Sequence, residues 1–322
     1  MNQSKKMLLV TSEACLSQRA ALRAALLSGD LQLDGFDMLN IKRSALGLCA
    51  GNTEYSQIEV RGHAVSAWID GKRTPVDVLD DANVLAPIWH TARSTAAELV
   101  AETARAQRAE LTVLAPQRRH SLLALLAPSH SRAILRQSQN SVLFVHCEPR
   151  DVYRKVLVAV DFSAECDTAA RLALALAPEA HFTFMHAFSF PEAALMRELE
   201  VPSSIVGTYL ARACESAWAR LDKWIENLGP LVQPYVAAVH SGLPVPVINA
   251  NARRIGADLI VVGRQGRARN GRYGLGDVPR KLGARAACDV LIGPALTTAS
   301  VRGATTWRGL AQHLRAEESA SA

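Results

Sequence analysis

The chain has 322 residues, a length that suggests two domains of about 150. With 49% hydrophobic and 20% charged residues it can bury a core, which excludes general disorder, and no apolar run reaches the roughly 18 residues of a membrane-spanning helix. The net charge of +6 admits a nucleic-acid partner, yet no RNP-type aromatic signature or recognition-helix pattern accompanies it, so nucleic acid is not the expected ligand. Met1–Leu16 has lysines and a short apolar patch, but Glu13 and the strand-like pattern argue against a signal peptide, and the expected location is the cytoplasm. The six cysteines (15, 49, 147, 166, 214 and 288) are scattered, without C-x-x-C or histidines at zinc spacing. They read as reduced, mostly buried thiols, and no metal site is expected.

In the first half, Met7–Thr11 is an apolar strand, Arg19–Leu27 an Ala/Leu helix and Leu31–Leu39 a second strand. Gln57–Val60 and Ala64–Asp70 alternate around Gly62 and read as a β-hairpin. A helix follows over Thr95–Arg108, then a strand to Leu114 and a closing strand over Ser141–Val145. Residues 147–153, with Pro149 and Arg150-Asp151, read as a linker.

The second half alternates more clearly. Val156–Val160 is a buried strand ending in Asp161-Phe162-Ser163, followed by a helix over Thr168–Ala177 and a strand over His181–His186. Residues 203–228 carry apolar positions at helical spacing until Gly229-Pro230 stops them. Val232–Val239 is a third strand, and Pro246–Ile255 a helix with Gly256 just past its end. Leu259–Val262, a Gly-rich loop, a helix over Asp277–Ala286 and Val290–Ile292 complete the series. Alternation of this kind predicts an α/β fold with doubly wound parallel sheets and right-handed crossovers. Ligands of such sheets bind beyond the carboxyl ends of the strands, where Asp161 and Gly263 both fall. The loop and the helix behind it carry Arg264, Arg267, Arg269, Arg272, Arg280, Lys281 and Arg285 against one acid, Asp277, a composition suited to phosphate. No Gly-Lys-Ser/Thr and no G-x-G-x-x-G is present, so this is neither a Walker loop nor a dinucleotide fingerprint.

The spacing Gly263-x2-Gly266-x9-Gly276, set between Asp-Leu-Ile-Val-Val-Gly and Cys-Asp-Val-Leu-Ile, resembles the ATP-binding pattern of the universal stress protein family. The resemblance covers roughly 152–293. It implies that Asp161 contacts the adenosine moiety, that the backbone after His186, at Ala187, faces adenine, and that Ser241-Gly242-Leu-Pro precedes the third helix. The binding set it implies is Asp161, Ala187, Gly263, Gly266, Arg267, Gly276, Asp277 and Val278, with ATP as ligand. The chain departs from the pattern at Asp277, where the family's nucleotide binders carry Ser or Thr. A carboxylate beside phosphate costs about two decades in affinity if uncompensated, although it would make a good N-cap; Mg²⁺ bridging Asp277 to the phosphates is one remedy.

The first half repeats the plan in degenerate form. Ser12 falls where Asp161 stands, and the three glycines map to Ala115, Arg118 and Pro128, with Ser129 at the hydroxyl position. A tandem chain of this kind is most similar to the E-type members: 1–149 degenerate with a hairpin insertion, 150–296 intact, and 297–322 a tail. Because family members commonly pair sheets through the last strand, the resemblance implies that the two copies can form an internal pseudo-dimer. Local readings compete at several positions. Asp161 is alternatively a turn or cap residue, His186 a packed strand-end histidine, and Cys166 a buried or a redox thiol. No Gly-x-Ser-x-Gly elbow or His-Glu-x-x-His occurs, so no enzyme is expected, with slow ATP hydrolysis ranked last. Two functions remain: a nucleotide-binding stress-response protein, or a nucleotide-free scaffold acting through a protein partner or homodimer.

Overall fold

The computed structural model describes residues 6–12, 16–30, 35–41, 53–59, 84–90, 96–115, 130–190, 196, 198–265 and 275–295. The first half contains β1 (Met7–Ser12), α1 (Leu16–Asp30), β2 (Gly35–Ile41), β3 (Thr53–Glu59), β4 (Val84–His90), α2 (Ala96–Ala106), β5 (Leu111–Leu114), α3 (His130–Gln137) and β6 (Ser141–Phe144). The second contains β7 (Lys155–Ala159), α4 (Ala164–Leu176), β8 (His181–Phe188), α5 (Ser203–Leu228), β9 (Tyr235–Ser241), α6 (Pro244–Ile255), β10 (Leu259–Val262), α7 (Asp277–Arg285) and β11 (Asp289–Ile292).

The described strands form one 11-stranded sheet in the order β4-β3-β2-β1-β5-β6-β11-β10-β7-β8-β9. Pairing is parallel from β2 through β1 and β5 to β6, and again from β11 through β10, β7 and β8 to β9. The two runs meet antiparallel, Leu143 opposite Leu291. The four central strands β5, β6, β10 and β11 are buried along their whole length, as expected of strands covered on both faces. Val156, Val158 and Val160 enter one apolar cluster with α1, α4 and α5, while Leu157 and Ala159 enter another with α2, α3, α6 and α7. Alternation along each strand thus feeds two cores, each continuous across both halves.

The first half departs from the all-parallel expectation at β3. It runs antiparallel to β2, Phe36 opposite Ile58, and antiparallel to β4, Ile58 opposite Val84. Parallel pairing needs a crossover of a dozen or more residues, usually helical, and the connection over 42–52 is too short for one. Both edges of β3 are therefore taken, and the predicted hairpin arm Ala64–Asp70 lies outside the described residues, as does the tail 297–322.

The predicted linker is a packed connector. Tyr153 is 1% exposed and donates its hydroxyl to Asp289 Oδ2 at 2.8 Å, while the backbone N–H groups of His146 and Cys147 donate to Oδ1. Arg23 of α1 donates to the same Oδ2 at 3.2 Å and to the Asp151 carbonyl, its guanidinium stacked 4.0 Å over the Tyr153 ring. Burial pushes the Tyr153 phenol well above its ordinary range, so it stays a donor to this carboxylate.

Candidate functional site

From β7 the chain passes through α4 and α5 on one face to β8 and β9, then returns through α6 on the other face to β10, which pairs with the opposite edge of β7. The crossovers therefore reverse between β7 and β10. That is the switch point at which a parallel sheet opens a crevice.

Asp161 and Gly263 stand at the carboxyl ends of those two strands and are brought together. A Cβ on Gly263 would lie 2.8 Å from Ser163 Oγ and 3.0 Å from Asp161 Oδ2, so only glycine lets the strand end come this close. Asp161 Oδ1 accepts from the Ser163 backbone N–H at 2.9 Å and from the Ser163 hydroxyl. Ser163 in turn caps α4, its Oγ accepting from the Cys166 N–H at 3.1 Å. Asp161 is thus the turn residue that orients the cap; Ser163 is the cap. Cys166 beneath is fully buried, and burial, with Asp161 second, pushes its thiol well up, which removes the redox reading.

His186 is a strand-end packing residue. Its Nδ1 lies 2.7 Å from the Val160 carbonyl, so that nitrogen carries the proton, and its ring centroid lies 4.5 Å from that of Phe162. The Arg220 guanidinium, from α5, sits 4.0 Å from the Phe162 centroid. This stack along the β7–β8 rim was missed in the sequence because Arg220 is one of many polar positions on a long amphipathic helix. Ala187, its neighbour on β8, pairs with His240 of β9.

The far end of the glycine loop returns to its own root. The Gly276 N–H donates to the Arg264 carbonyl at 3.0 Å, and a Cβ there would meet the Gln265 carbonyl oxygen at 2.7 Å. Gly266 and Arg267 lie outside the described residues. Gly276 occupies the N-cap position of α7 without a side-chain cap bond, which corrects the expectation that Asp277 caps this helix. Asp277 is instead the first helical residue. Its carboxylate pairs with Arg280 one turn on and with Lys281 Nζ at 3.0 Å. Hydrogen bonds from Arg280 and then Lys281 hold its pKa down at about 2. Val278 is half-buried behind it. Two cations thus offset the one carboxylate at the mouth of the loop.

Arg264, counted in the sequence among the phosphate-suited cations, does not face the crevice. It is 3% exposed and reaches into the first half, donating to the carbonyls of Leu135, Ser138 at 2.6 Å and Asn140 at 3.3 Å, and to Gly293 at 3.3 Å. Burial lowers its pKa to about 10.

Residues 152–294 match the family model described as Universal stress protein family. A universal stress protein from Archaeoglobus fulgidus DSM 4304 is similar in structure, at 16% identity and a TM-score of 0.55, over 92% of this chain and 100% of that one. A protein of unknown function from Pseudomonas aeruginosa PAO1 is similar over 97% of this chain and 98% of its own, at 16% identity and a TM-score of 0.57. At these identities the likeness is one of fold. No curated protein matches the chain. Among the described residues no helix is long and apolar enough to cross a membrane.

Proposed function

We propose that the second half binds an adenine nucleotide, ATP in the first instance, in the crevice between β7 and β10, and that the protein acts as a non-catalytic cytoplasmic stress-response component built from two fused family copies of the E-type. The observation that carries this reading is a close approach that only glycine permits: Gly263 against Asp161 at the switch point, with Gly276 folded onto the root of the same loop. Glycine at both ends would let an anion approach the backbone closely, and the first turn of α7 adds its positive end. Asp161 Oδ2 serves the adenosine hydroxyls, Ala187 borders the base, and Gly266, Arg267 and Val278 complete the phosphate side. Arg280 and Lys281 compensate Asp277 without a metal, so chelating Mg²⁺ is expected to change affinity less than tenfold.

The test is calorimetric titration of ATP and AMP, with and without Mg²⁺, into wild type and Asp277→Ser. Micromolar binding by wild type supports the reading. Binding by the serine variant alone would mean that this chain has switched its site off, and silence from both would reject the nucleotide. A scaffold reading would then stand, favoured by one observation: β9, the outermost described strand of the second half, exposes Tyr235 and Val236.

A further inference from the structure

Arg264 follows Gly263 directly, so it belongs to the root of the glycine loop, yet its side chain is spent on the other half of the molecule. The last carbonyls of a helix have no partner within it. At the end of α3, Ser138 satisfies Ile134, its N–H and Oγ both donating to that carbonyl. Arg264 takes the next acceptors, Leu135, Ser138 and Asn140. A buried guanidinium normally calls for a bonded carboxylate; here the negative end of the α3 dipole and four carbonyls receive it, and Glu165 acts on it through charge. The same residue also holds the loop closed through its backbone, because its carbonyl accepts the Gly276 N–H. A second link lies alongside, the Ala295 N–H donating to the Gln139 carbonyl at 2.8 Å, so the segment after β11 is pinned to the same turn of the first half. The junction is one-sided. With Leu111 and Leu259 in the same register to their neighbours, Arg264 corresponds to Pro116, which has no side-chain donor.

We propose that Arg264 is a positioning residue that makes the degenerate first half a working part of the second half's crevice. Its side chain ties the loop root to the C-terminal end of α3, so occupation of the crevice and packing of that helix end are thermodynamically coupled. The inference rests on the nucleotide reading of the crevice for its ligand, but the tie itself does not. Coupling of this kind is reciprocal: whatever tightens one site tightens the other.

The test uses the full chain as wild type, Arg264→Met and Arg264→Lys, with hydrogen exchange followed in peptides spanning 135–140 and ending at 276, and ATP affinity followed by calorimetry. Without nucleotide, Arg264→Met is expected to speed exchange tenfold or more in both regions, with Arg264→Lys between it and wild type. ATP is expected to slow exchange at 135–140 in wild type and to bind at least tenfold more weakly to Arg264→Met. Unchanged exchange at 276 in Arg264→Met, or ATP that leaves 135–140 unprotected while protecting the loop, overturns the proposal. If wild type binds no ATP, the nucleotide reading has failed and the ligand-free exchange alone decides the tie. If Arg264→Met does not fold, the lysine variant carries the same comparison, and wild-type exchange at either region from it overturns the proposal.

Discussion

The two halves share a strand-loop-helix-strand unit at the same register, β5 to β6 and β10 to β11, and differ at the loop that follows its first strand. Leu111 pairs with Ser141 as Leu259 pairs with Asp289, and each strand is followed by a loop and a short helix, α3 or α7. Yet Ala115 stands where Gly263 lets Asp161 approach, and Pro128 where Gly276 folds onto Gln265. The sheet persists without those glycines because β5 and β6 are buried along their whole length and each is paired on both edges. The strand architecture of the first half therefore does not require the glycine spacing. The strand-two to strand-three connection teaches a second lesson. Where 189–234 contains the 26-residue α5, the third strand is parallel; where the link is 42–52, it turns back antiparallel.

The largest expected break in this comparison is at Asp289, whose counterpart is Ser141. Asp289→Ala strands Arg23, Tyr153 and two backbone N–H groups in a buried site and is expected to destabilise by about 3–5 kcal/mol in denaturant unfolding. Ser141→Ala is expected to stay within about 1 kcal/mol. Equal costs at the two positions would show that the halves are joined symmetrically. Next comes Gly276→Ala, which must move the Gln265 carbonyl: about 1–3 kcal/mol by the same measurement, with loss of ATP binding in calorimetry.

A subtler contrast sits at the ends of α2 and α6. Gly256 ends α6 at φ +65°, and Arg108, its counterpart, ends α2 at φ +54°. The wrapping bonds correspond as well: Ala257 N–H to Ala252, Ala109 N–H to Ala104, both 2.8 Å. Gly256→Ala should cost about 1 kcal/mol and Arg108→Gly should gain up to about 1 kcal/mol, read as opposite shifts in melting temperature. Shifts of the same sign would mean that the two turns are not equivalent. The smallest effect concerns pH. The Asp277 carboxyl, held down at about 2 by Arg280 and Lys281 against an ordinary value of 3.8, contributes fully to α7 above pH 4 and loses that contribution as pH falls through about 2. A carboxyl titration by NMR that places its midpoint near 4 would show that the two cations do not hold it.

Most of the fold was legible where the signal was local. Helix α5 spans 203–228 as its periodicity and Gly229-Pro230 predict, and Gly256 terminates α6 in the left-handed turn expected of it. Asp161 and Gly263 were also legible as neighbours, since strand ends in a parallel sheet converge whatever their separation in the chain. Arg108 carried no such signal, because an arginine in a left-handed turn is tolerated only when the surrounding helix end imposes it.

The sequence by itself determined the two hydrophobic periodicities, the helix stops, the glycine loop and its departure at Asp277. These depend on residues within a turn or two of one another, including the i,i+3 and i,i+4 spacing that pairs Asp277 with Arg280 and Lys281. Only the tertiary structure decided that Arg264 crosses to α3 rather than serving phosphate, that Arg23 and Tyr153 meet on Asp289, and that β3 pairs with β4. Those contacts join residues far apart in the chain, and which of many cations and carbonyls meet is set by how the sheet closes at β6 and β11. Arg264 and Arg267 are both loop arginines in the sequence; packing alone makes the first a structural tie between the two halves.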